Sequence, residues 1–459
     1  MNLKRWMLFF FLFPVFVVIF IEEEELRSYV YVAYACQLIV LFIFLFSYRN
    51  ALVFINPLSL SLIYVLISFS LGSWAFSNDL VYVKKNLIDS FSWKYFKETT
   101  FLILFFNFIV FYILSKFKFK FFPLSSKDRD IALFRAKKLF FGVLLVCFPF
   151  FFFDINLEIV GGSGGLSVIP KSIFFISLIY ILAVGKYRFR IVFYIFILIG
   201  FSVFSYEDKR DAIFFIFPIF FLESLFNDLK LNFKGMVIGV FSCVSILILI
   251  ILMSISRGYG GYELSSSIDS VFYIFDYIKS DLFYIYLFNN LEVNYTYFHT
   301  MQAFDYIQDD IWLIKAGSTL VKFLFLLVPR SVFSDKPDSF IDIYTSLYDP
   351  TFRALGGSWP PNFYAELFWN FSYFSIFLLF FFYYLFFFIY NKAIFSIFRV
   401  NIISSMLYLY FIYLFLSLVR GSGFDLFVFN FIIAAWIVLL ACFIVFLVDI
   451  FIKEGERDK

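Results

Sequence analysis

Long, uninterrupted apolar segments recur along this chain, and they constrain its fold more than any other feature. Residues 236–254, for example, would be apolar on every face of a helix. A helix needs about 20 such residues to cross the roughly 30 Å hydrocarbon core of a bilayer. Hydrophobic residues make up 63% of the sequence and charged residues only 15%, a composition that excludes a soluble globular protein. The sequence therefore predicts a polytopic membrane protein.

These segments predict helices rather than strands. Strands of a transmembrane β-barrel are short and alternate apolar with polar residues, and the segments here do not alternate. We expect an all-α fold with about twelve membrane spans. The predicted spans cover residues 6–21, 28–46, 57–76, 99–115, 139–153, 168–184, 191–205, 212–226, 236–254, 367–390, 402–419 and 427–451. The first is expected to be an uncleaved signal anchor, because no small-residue cleavage site precedes the acids at 22–25.

The distribution of Lys and Arg predicts the orientation of the spans. With the N-terminus in the cytoplasm, most of these cations fall in cytoplasmic segments, and the largest group lies between Lys116 and Lys138. The positive-inside rule then places both termini in the cytoplasm. We interpret the group at 116–138 as a loop near anionic headgroups rather than a nucleic-acid site, because the net charge is only +3.

One long segment, residues 255–366, interrupts the pattern of short loops and is predicted to be external. It is mixed in composition and contains two helical patterns, at about 268–290 and 296–328. The second pattern is interrupted by lysines and is expected to lie in the membrane interface. Long loops with their own helices are usually functional. We therefore divide the chain into residues 1–254 with the first nine spans, the external loop 255–366, and residues 367–459 with the last three.

Residue types that bind metals or cofactors are sparse. The four cysteines lie inside predicted spans without CxxC spacing, and His299 is the single histidine. No spaced pair of acids stands out at a membrane edge to hold Mg²⁺ beside a nucleotide sugar. No P-loop, nucleophile elbow or dinucleotide fingerprint is present. We therefore expect no metal, no cofactor and no nucleic-acid partner.

External arginines are the most informative charged residues. A cation near bilayer depth is costly unless it faces protein, water or an anionic ligand, and the planar arginine fork matches phosphate oxygens. The candidate phosphate-binding cations are Arg210, Arg257, Arg330, Lys336 and Arg420. Simpler roles remain open for each: Arg257 could pair with Glu263, Arg210 with the acids around it, and Lys336 could shape a Pro-bounded turn.

Several short motifs resemble one known family. Residues 327–337, LVPRSVFSDKP, resemble the I-P-R-x-x-(W/F)-P-x-K-P stretch of the O-antigen polymerase (Wzy) family. Residues 56–58, 209–210, 256–260 and 420–421 resemble further stretches of that family in the same order. After the loop, Gly356-Gly357, Glu366 and Asn370 resemble its glycine and G-E-x-x-x-N-F-G tail. Ala365 and Ser372 replace two of those glycines, which weakens any role assigned to Glu366.

The resemblance implies a GT-C-like fold and a polymerase at the periplasmic face of the bacterial inner membrane. Its substrates would be undecaprenyl-pyrophosphate-linked glycan donor and acceptor units among membrane lipids, and it allows a chain-length regulator protein as a further partner. The cations above would bind the departing diphosphate without a metal. Glu366, His299 and Asp335 are then the candidate general bases for the acceptor hydroxyl.

Three other classes compete with a polymerase. An O-antigen ligase would share the layout and chemistry, so its exclusion depends on the 329–337 run and on Lys209-Arg210. A lipid-linked oligosaccharide flippase would show two comparable halves, and no repeat is visible. A purely structural membrane partner would not need external arginines. The sequence favours the polymerase, with the ligase second and the flippase third.

Overall fold

The protein is described from a computed structural model. The described residues are 3–48, 50–78, 80, 94–116, 125–152, 168–185, 187–204, 214–226, 248, 251–252, 254–255, 261–262, 267–291, 293–326, 328, 331–398 and 401–457.

Within these ranges the backbone forms helices, and no strand lies among them. The α-helices are α1 Leu3–Phe20, α2 Glu23–Ser47, α3 Pro57–Ser77, α4 Phe96–Lys116, α5 Ser126–Cys147, α6 Val168–Gly185, α7 Arg190–Phe204, α8 Ile216–Phe226, α9 Ile274–Lys279, α10 Phe283–Asn290, α11 Val293–Asp309, α12 Ser318–Val321, α13 Phe340–Tyr348, α14 Pro350–Ala354, α15 Phe363–Phe371, α16 Ser375–Phe398, α17 Ile402–Arg420 and α18 Phe424–Arg457. Short 3₁₀ helices lie at Ala51–Val53, Phe148–Phe151, Ser267–Val271, Ile311–Leu313, Lys322–Phe325 and Ser372–Phe374.

Seven helical segments in the described part of the chain are long and apolar enough to cross a membrane. They are α2, α3, α4, α6, the continuous segment Phe363–Phe395, α17, and Phe424–Ile450. Each coincides with a predicted span. The predicted all-α class is confirmed, and the architecture is that of a multi-pass membrane protein. The full number of spans and the GT-C-like topology stay predictions.

The remaining predicted spans differ in outcome. Helices α1, α7 and α8 occupy three of them, whereas residues 236–254 lie mostly outside the described ranges. The predicted span at 139–153 belongs to α5, which begins earlier, inside the predicted cytoplasmic loop. It begins there because Ser125 caps it: the Ser125 hydroxyl accepts a hydrogen bond from the Asp128 amide at 3.1 Å.

The segment 255–366, which was predicted to be external, has shorter helices in its described part than the sequence pattern predicted. Its second helical pattern begins as expected with α11 but ends at Asp309, and the Asp310 carboxylate accepts a hydrogen bond from the Trp312 amide at 2.9 Å. Gly317 then adopts a left-handed conformation with a φ of 86°. These turns divide the pattern into α11, α12 and two short 3₁₀ helices, which lets the loop fold over the bundle.

A close helix crossing fixes α11 against α3. A Cβ atom added to Gly72 of α3 would lie 2.7 Å from the Val293 carbonyl oxygen and 2.6 Å from the Tyr297 Cβ. Only a glycine permits this approach, as at many interfaces between membrane helices. Because α11 carries His299, the crossing also sets the position of that side chain.

A buried chain of polar side chains joins helices of the bundle. The Gln37 amide donates to the Phe11 and Leu104 carbonyl oxygens, both at 3.1 Å. The Asn107 amide donates to Gln37 Oε1, and the Tyr364 hydroxyl donates to Asn107 Oδ1, each at 3.2 Å. In a membrane such bonds hold helices in one register, because the alternative is an unpaired polar group in hydrocarbon.

The Arg129 side chain links the last described turns of two helices, α6 and α8. Its guanidinium donates to the carbonyl oxygens of Val184 at 2.7 Å, Ala183 at 2.9 Å and Phe226 at 2.8 Å. These carbonyl groups belong to the last described turns of α6 and α8. The contacts bring together segments that the sequence analysis assigned to the cytoplasm. Which side of a membrane these turns face stays a prediction.

Candidate functional site

The structure describes five of the eight predicted site residues. Arg210, Arg257 and Arg330 lie outside the described residues. The described ones are Arg420, Lys336, Glu366, His299 and Asp335. Arg420 and Glu366 lie at one helix connection, His299 lies in an aromatic cluster, and Asp335 and Lys336 lie in a third place.

Arg420 lies in a tight turn between α17 and α18. It is the last residue of α17 and is half-buried. The next residue, Gly421, has a φ of 116°, and the Ser422 amide donates to the Ser417 carbonyl oxygen at 2.9 Å. This is a glycine-closed helix end of the Schellman type. A Cβ on Gly421 would clash with the Pro361 carbonyl oxygen, so the turn packs tightly against the segment that leads into α15.

Glu366 contacts the same connection from α15. It is 1% exposed, and its Oε2 accepts a hydrogen bond from the Phe424 amide at 2.9 Å. Phe424 is the first residue of α18, where the amide groups lack intrahelical partners and the helix dipole favours a negative charge. The second carboxylate oxygen, Oε1, has no hydrogen-bond partner among the described residues. Glu366 therefore ties α15 to the start of the last helix.

An alternating row of charges extends from this point towards the surface. Asp425 is buried, and its Oδ2 lies 3.5 Å from the Lys322 Nζ. The same ammonium lies 3.7 Å from Asp342 Oδ2, and Asp342 Oδ1 lies 2.6 Å from Arg353 Nη2. We call Lys322, Asp342, Arg353, Glu366, Arg420 and Asp425 the junction cluster, because they lie where the loop meets the α17–α18 connection.

Four members of the junction cluster were missed by the sequence analysis: Lys322, Asp342, Arg353 and Asp425. One signal was available for Asp425. It follows Arg420 by five residues at the edge of a predicted span, and ionisable residues at such positions are rare and usually functional. Lys322, Asp342 and Arg353 carried no such signal, because they lie among many other charged residues of the loop.

Asn370 secures the loop one helical turn beyond Glu366. Its Oδ1 accepts from the Gly317 amide at 3.1 Å, and its Nδ2 donates to Thr319 Oγ1 at 2.7 Å and to the Glu366 carbonyl oxygen at 2.8 Å. The two residues that resemble the family's G-E-x-x-x-N tail thus both bind backbone of neighbouring segments. One holds the last helix and the other holds the loop.

His299 lies in a separate, buried aromatic cluster. Its Nδ1 is 2.7 Å from the Tyr344 hydroxyl, and its ring stacks on Trp359 with centroids 4.7 Å apart. Burial lowers the pKa of His299 to about 3, so the ring is neutral at physiological pH. An efficient general base has a pKa near the working pH. This environment therefore does not favour the predicted role of His299 as a base.

Lys336 and Asp335 are neighbours in sequence but have opposite environments. The buried Lys336 ammonium donates to the carbonyl oxygens of Leu326 at 3.1 Å and Val328 at 3.3 Å. These contacts tie Lys336 to Leu326 and Val328. Asp335 is exposed, and its carboxylate accepts a hydrogen bond from the Ser334 hydroxyl at 3.2 Å. Among the three candidate bases, Asp335 is the one accessible to a substrate.

No group of three or more His, Cys, Asp or Glu side chains that could hold a metal ion occurs in the described ranges. The metal independence of the protein stays a prediction.

The chain matches no known protein family, no curated protein and no solved structure. The resemblance to the O-antigen polymerases therefore depends on the motifs alone.

Proposed function

We propose that this protein is an O-antigen polymerase. It joins undecaprenyl-pyrophosphate-linked repeat units into O-antigen, or a related surface polysaccharide, at the periplasmic face of the bacterial inner membrane. The observation that carries this proposal is the position of Arg420, which is half-buried in a rigid turn between the last two helices and beside the loop. The ordered motifs that resemble the polymerase family add to it.

The depth of Arg420 fits a lipid-linked diphosphate. Helix α17 has 19 residues and ends at Arg420, and a helix of that length is about 28 Å long, close to the hydrocarbon thickness. A polyprenyl chain lies in the hydrocarbon, so its diphosphate lies at the headgroup level. An arginine at the end of a span would meet the diphosphate there, with a fork suited to its oxygens.

The proposed reaction is a direct glycosyl transfer. A hydroxyl oxygen of the acceptor unit attacks C1 of the donor sugar, and the bond between C1 and the diphosphate oxygen breaks. The hydroxyl proton passes to a carboxylate, for which the exposed Asp335 is the most accessible candidate. Arg420 stabilises the charge that develops on the departing diphosphate. Arg210, Arg257 and Arg330 are proposed to assist, whereas the Lys336 ammonium is directed to the Leu326 and Val328 carbonyl oxygens.

Deletion of the gene tests this function. We expect lipopolysaccharide that carries at most one repeat unit, because flippase and ligase would be separate proteins. Loss of even that single unit, with polymer accumulating on the undecaprenyl carrier, would instead identify a ligase. Unchanged lipopolysaccharide would contradict both.

Complementation with variants tests the role of Arg420. At matched membrane levels, Arg420→Ala should abolish long glycan chains, and Arg420→Lys should lose most of them, because an ammonium cannot replace a bidentate fork. Lys94→Ala is the matched control: Lys94 is an exposed cation, also predicted to be external, that pairs with Asp309. It should leave the chain-length pattern unchanged. A wild-type pattern in Arg420→Ala would remove Arg420 from the mechanism.

A further inference from the structure

Residues 361–366 clamp the α17–α18 connection at two points. The Pro361 carbonyl oxygen occupies the space that a side chain at position 421 would need. The Glu366 carboxylate accepts a hydrogen bond from the Phe424 amide at the start of α18. The connection that carries Arg420 is thus held between a backbone contact at one end and a carboxylate at the other.

The carboxylate of Glu366 is poorly placed for proton transfer to a substrate. A general base must come within hydrogen-bond reach of the hydroxyl that it deprotonates. Glu366 is 1% exposed, with one oxygen on a backbone amide and the other in the protein interior. Lys322 and Asp425 belong to the same cluster, and Lys322 lies 3.5 Å from Asp425. The charged surroundings of Glu366 are therefore other protein side chains.

We infer that Glu366 is a positioning residue, which fixes the α17–α18 turn so that Arg420 is held towards the diphosphate, and is not the general base. This inference rests on the proposed function. The physical reason is that the Phe424 amide begins a helix and has no intrahelical partner. Without Glu366 it would be an unpaired donor in a part-buried position, and the start of α18 would lose the contact that aligns it with α15.

Two substitutions separate the positioning role from a catalytic one. Glu366→Gln keeps an oxygen that can accept from Phe424, whereas Glu366→Ala removes it. We expect near wild-type glycan chain length for Glu366→Gln and loss of long chains for Glu366→Ala, at matched membrane levels. Equal loss in both variants would overturn the inference, because a base cannot be replaced by an amide.

A double-variant cycle tests whether Glu366 acts through Arg420. If it does, Glu366→Ala combined with Arg420→Lys, a variant that keeps measurable activity, should be no worse than Arg420→Lys alone, since the fork that needs positioning is already absent. A merely structural role would give losses that add. Additive losses, measured as polymer formed per unit of membrane protein, would therefore count against positioning.

Cysteine labelling tests the same point without any activity. In a variant lacking the native cysteines, Ser422→Cys reports on the turn, and Ser422 is half-buried. Glu366→Ala should raise the maleimide labelling rate by about fivefold, the population shift expected on losing one net hydrogen bond. Glu366→Gln should not raise it.

Asn370→Ala is the matched control for labelling. Asn370 lies one turn further along α15, is equally buried, and binds the Gly317 segment instead of α18. It should leave the rate at position 422 unchanged. A rate that Glu366→Ala does not raise would overturn the inference. If labelling rises as expected but gene deletion leaves the glycan unchanged, the proposed function fails while the positioning of the turn stands.

Discussion

Lys322 and Asp425 come from segments about a hundred residues apart, yet the ammonium of one lies 3.5 Å from the carboxylate of the other. The Asp425 side chain is 1% exposed and the Lys322 side chain 11% exposed. Neither oxygen of Asp425 has a conventional hydrogen bond within the described ranges. Lys322 therefore supplies the nearest described counter-charge to a buried carboxylate, and it links the loop to the start of the last helix.

Removing Lys322 should destabilise the protein strongly. Lys322→Met leaves Asp425 buried without this counter-charge, which typically costs about 3–5 kcal/mol. The double variant Lys322→Met with Asp425→Asn should recover part of that loss, because the uncompensated charge is gone. The stability of the single and the double variant can be measured by unfolding the purified proteins in detergent and monitoring helix content by circular dichroism.

The control for this pair is Lys94→Met. Lys94 pairs with Asp309 in an exposed position, where ion pairs contribute little to stability. The unfolding free energy of Lys94→Met should therefore match that of the wild type. An equal effect of the two single substitutions would show that the Lys322–Asp425 contact has no special energetic role.

Gly421 should tolerate no side chain. Gly421→Ala would impose a left-handed backbone on alanine and bring its Cβ into a clash with the Pro361 carbonyl oxygen. Gly356 also has a positive φ, of 81°, but nothing lies within 4 Å of an added Cβ. Gly356→Ala should therefore cost only the conformational strain, about 1–2 kcal/mol, and Gly421→Ala clearly more. Thermal unfolding measures the loss of stability in each variant. Equal losses would mean that the Pro361 backbone can move away from the added methyl group at little cost.

The seven helical segments long enough to cross a membrane were predictable, because hydropathy and length are local properties of the sequence. The ends of the helices were less predictable. The start of α5 depends on the cap at Ser125, and the end of α11 depends on the turn that Asp310 forms with Trp312. Both signals are single polar residues of a kind found in many loops.

The candidate site was only partly predictable, because its contacts join distant segments. The resemblance singled out Glu366 as a candidate base, but no single sequence indicates that its carboxylate meets the Phe424 amide. Likewise, nothing local indicates that Lys336 turns inwards to the Leu326 and Val328 carbonyl oxygens. Arg420 was identified correctly as lying at the end of a span, because that depends on hydropathy.

Polymerisation should not require a divalent metal. The proposed mechanism assigns the stabilisation of the leaving diphosphate to arginines such as Arg420. Purified protein should therefore extend lipid-linked repeat units equally well with and without EDTA. Turnover that chelation abolishes and Mg²⁺ or Mn²⁺ restores would show that the arginines do not act alone, and the mechanism would need a metal.

His299 should make the protein less stable at mildly acidic pH. Burial lowers the pKa of the folded protein's His299 to about 3, whereas the unfolded chain has the ordinary value of about 6.5. Below pH 6.5 the unfolded state therefore binds a proton that the folded state does not. The contribution of the neutral His299 to the free energy of unfolding is fully present above that pH. It is lost progressively as the pH falls towards 3, and the loss is about 2 kcal/mol at pH 5.

The variant His299→Gln isolates this effect. Glutamine does not titrate, and its side chain retains the capacity to hydrogen-bond with the Tyr344 hydroxyl, which lies 2.7 Å from His299 Nδ1. Because His299 is the single histidine of the chain, no other imidazole contributes between pH 5 and 7. The wild type and His299→Gln share the same carboxylates, so these contribute equally to the pH dependence of both proteins. The unfolding free energy of the wild type should therefore fall more steeply over that range than that of His299→Gln. Parallel slopes would mean that His299 binds its proton equally in both states, and that its burial against Tyr344 and Trp359 is not maintained in solution.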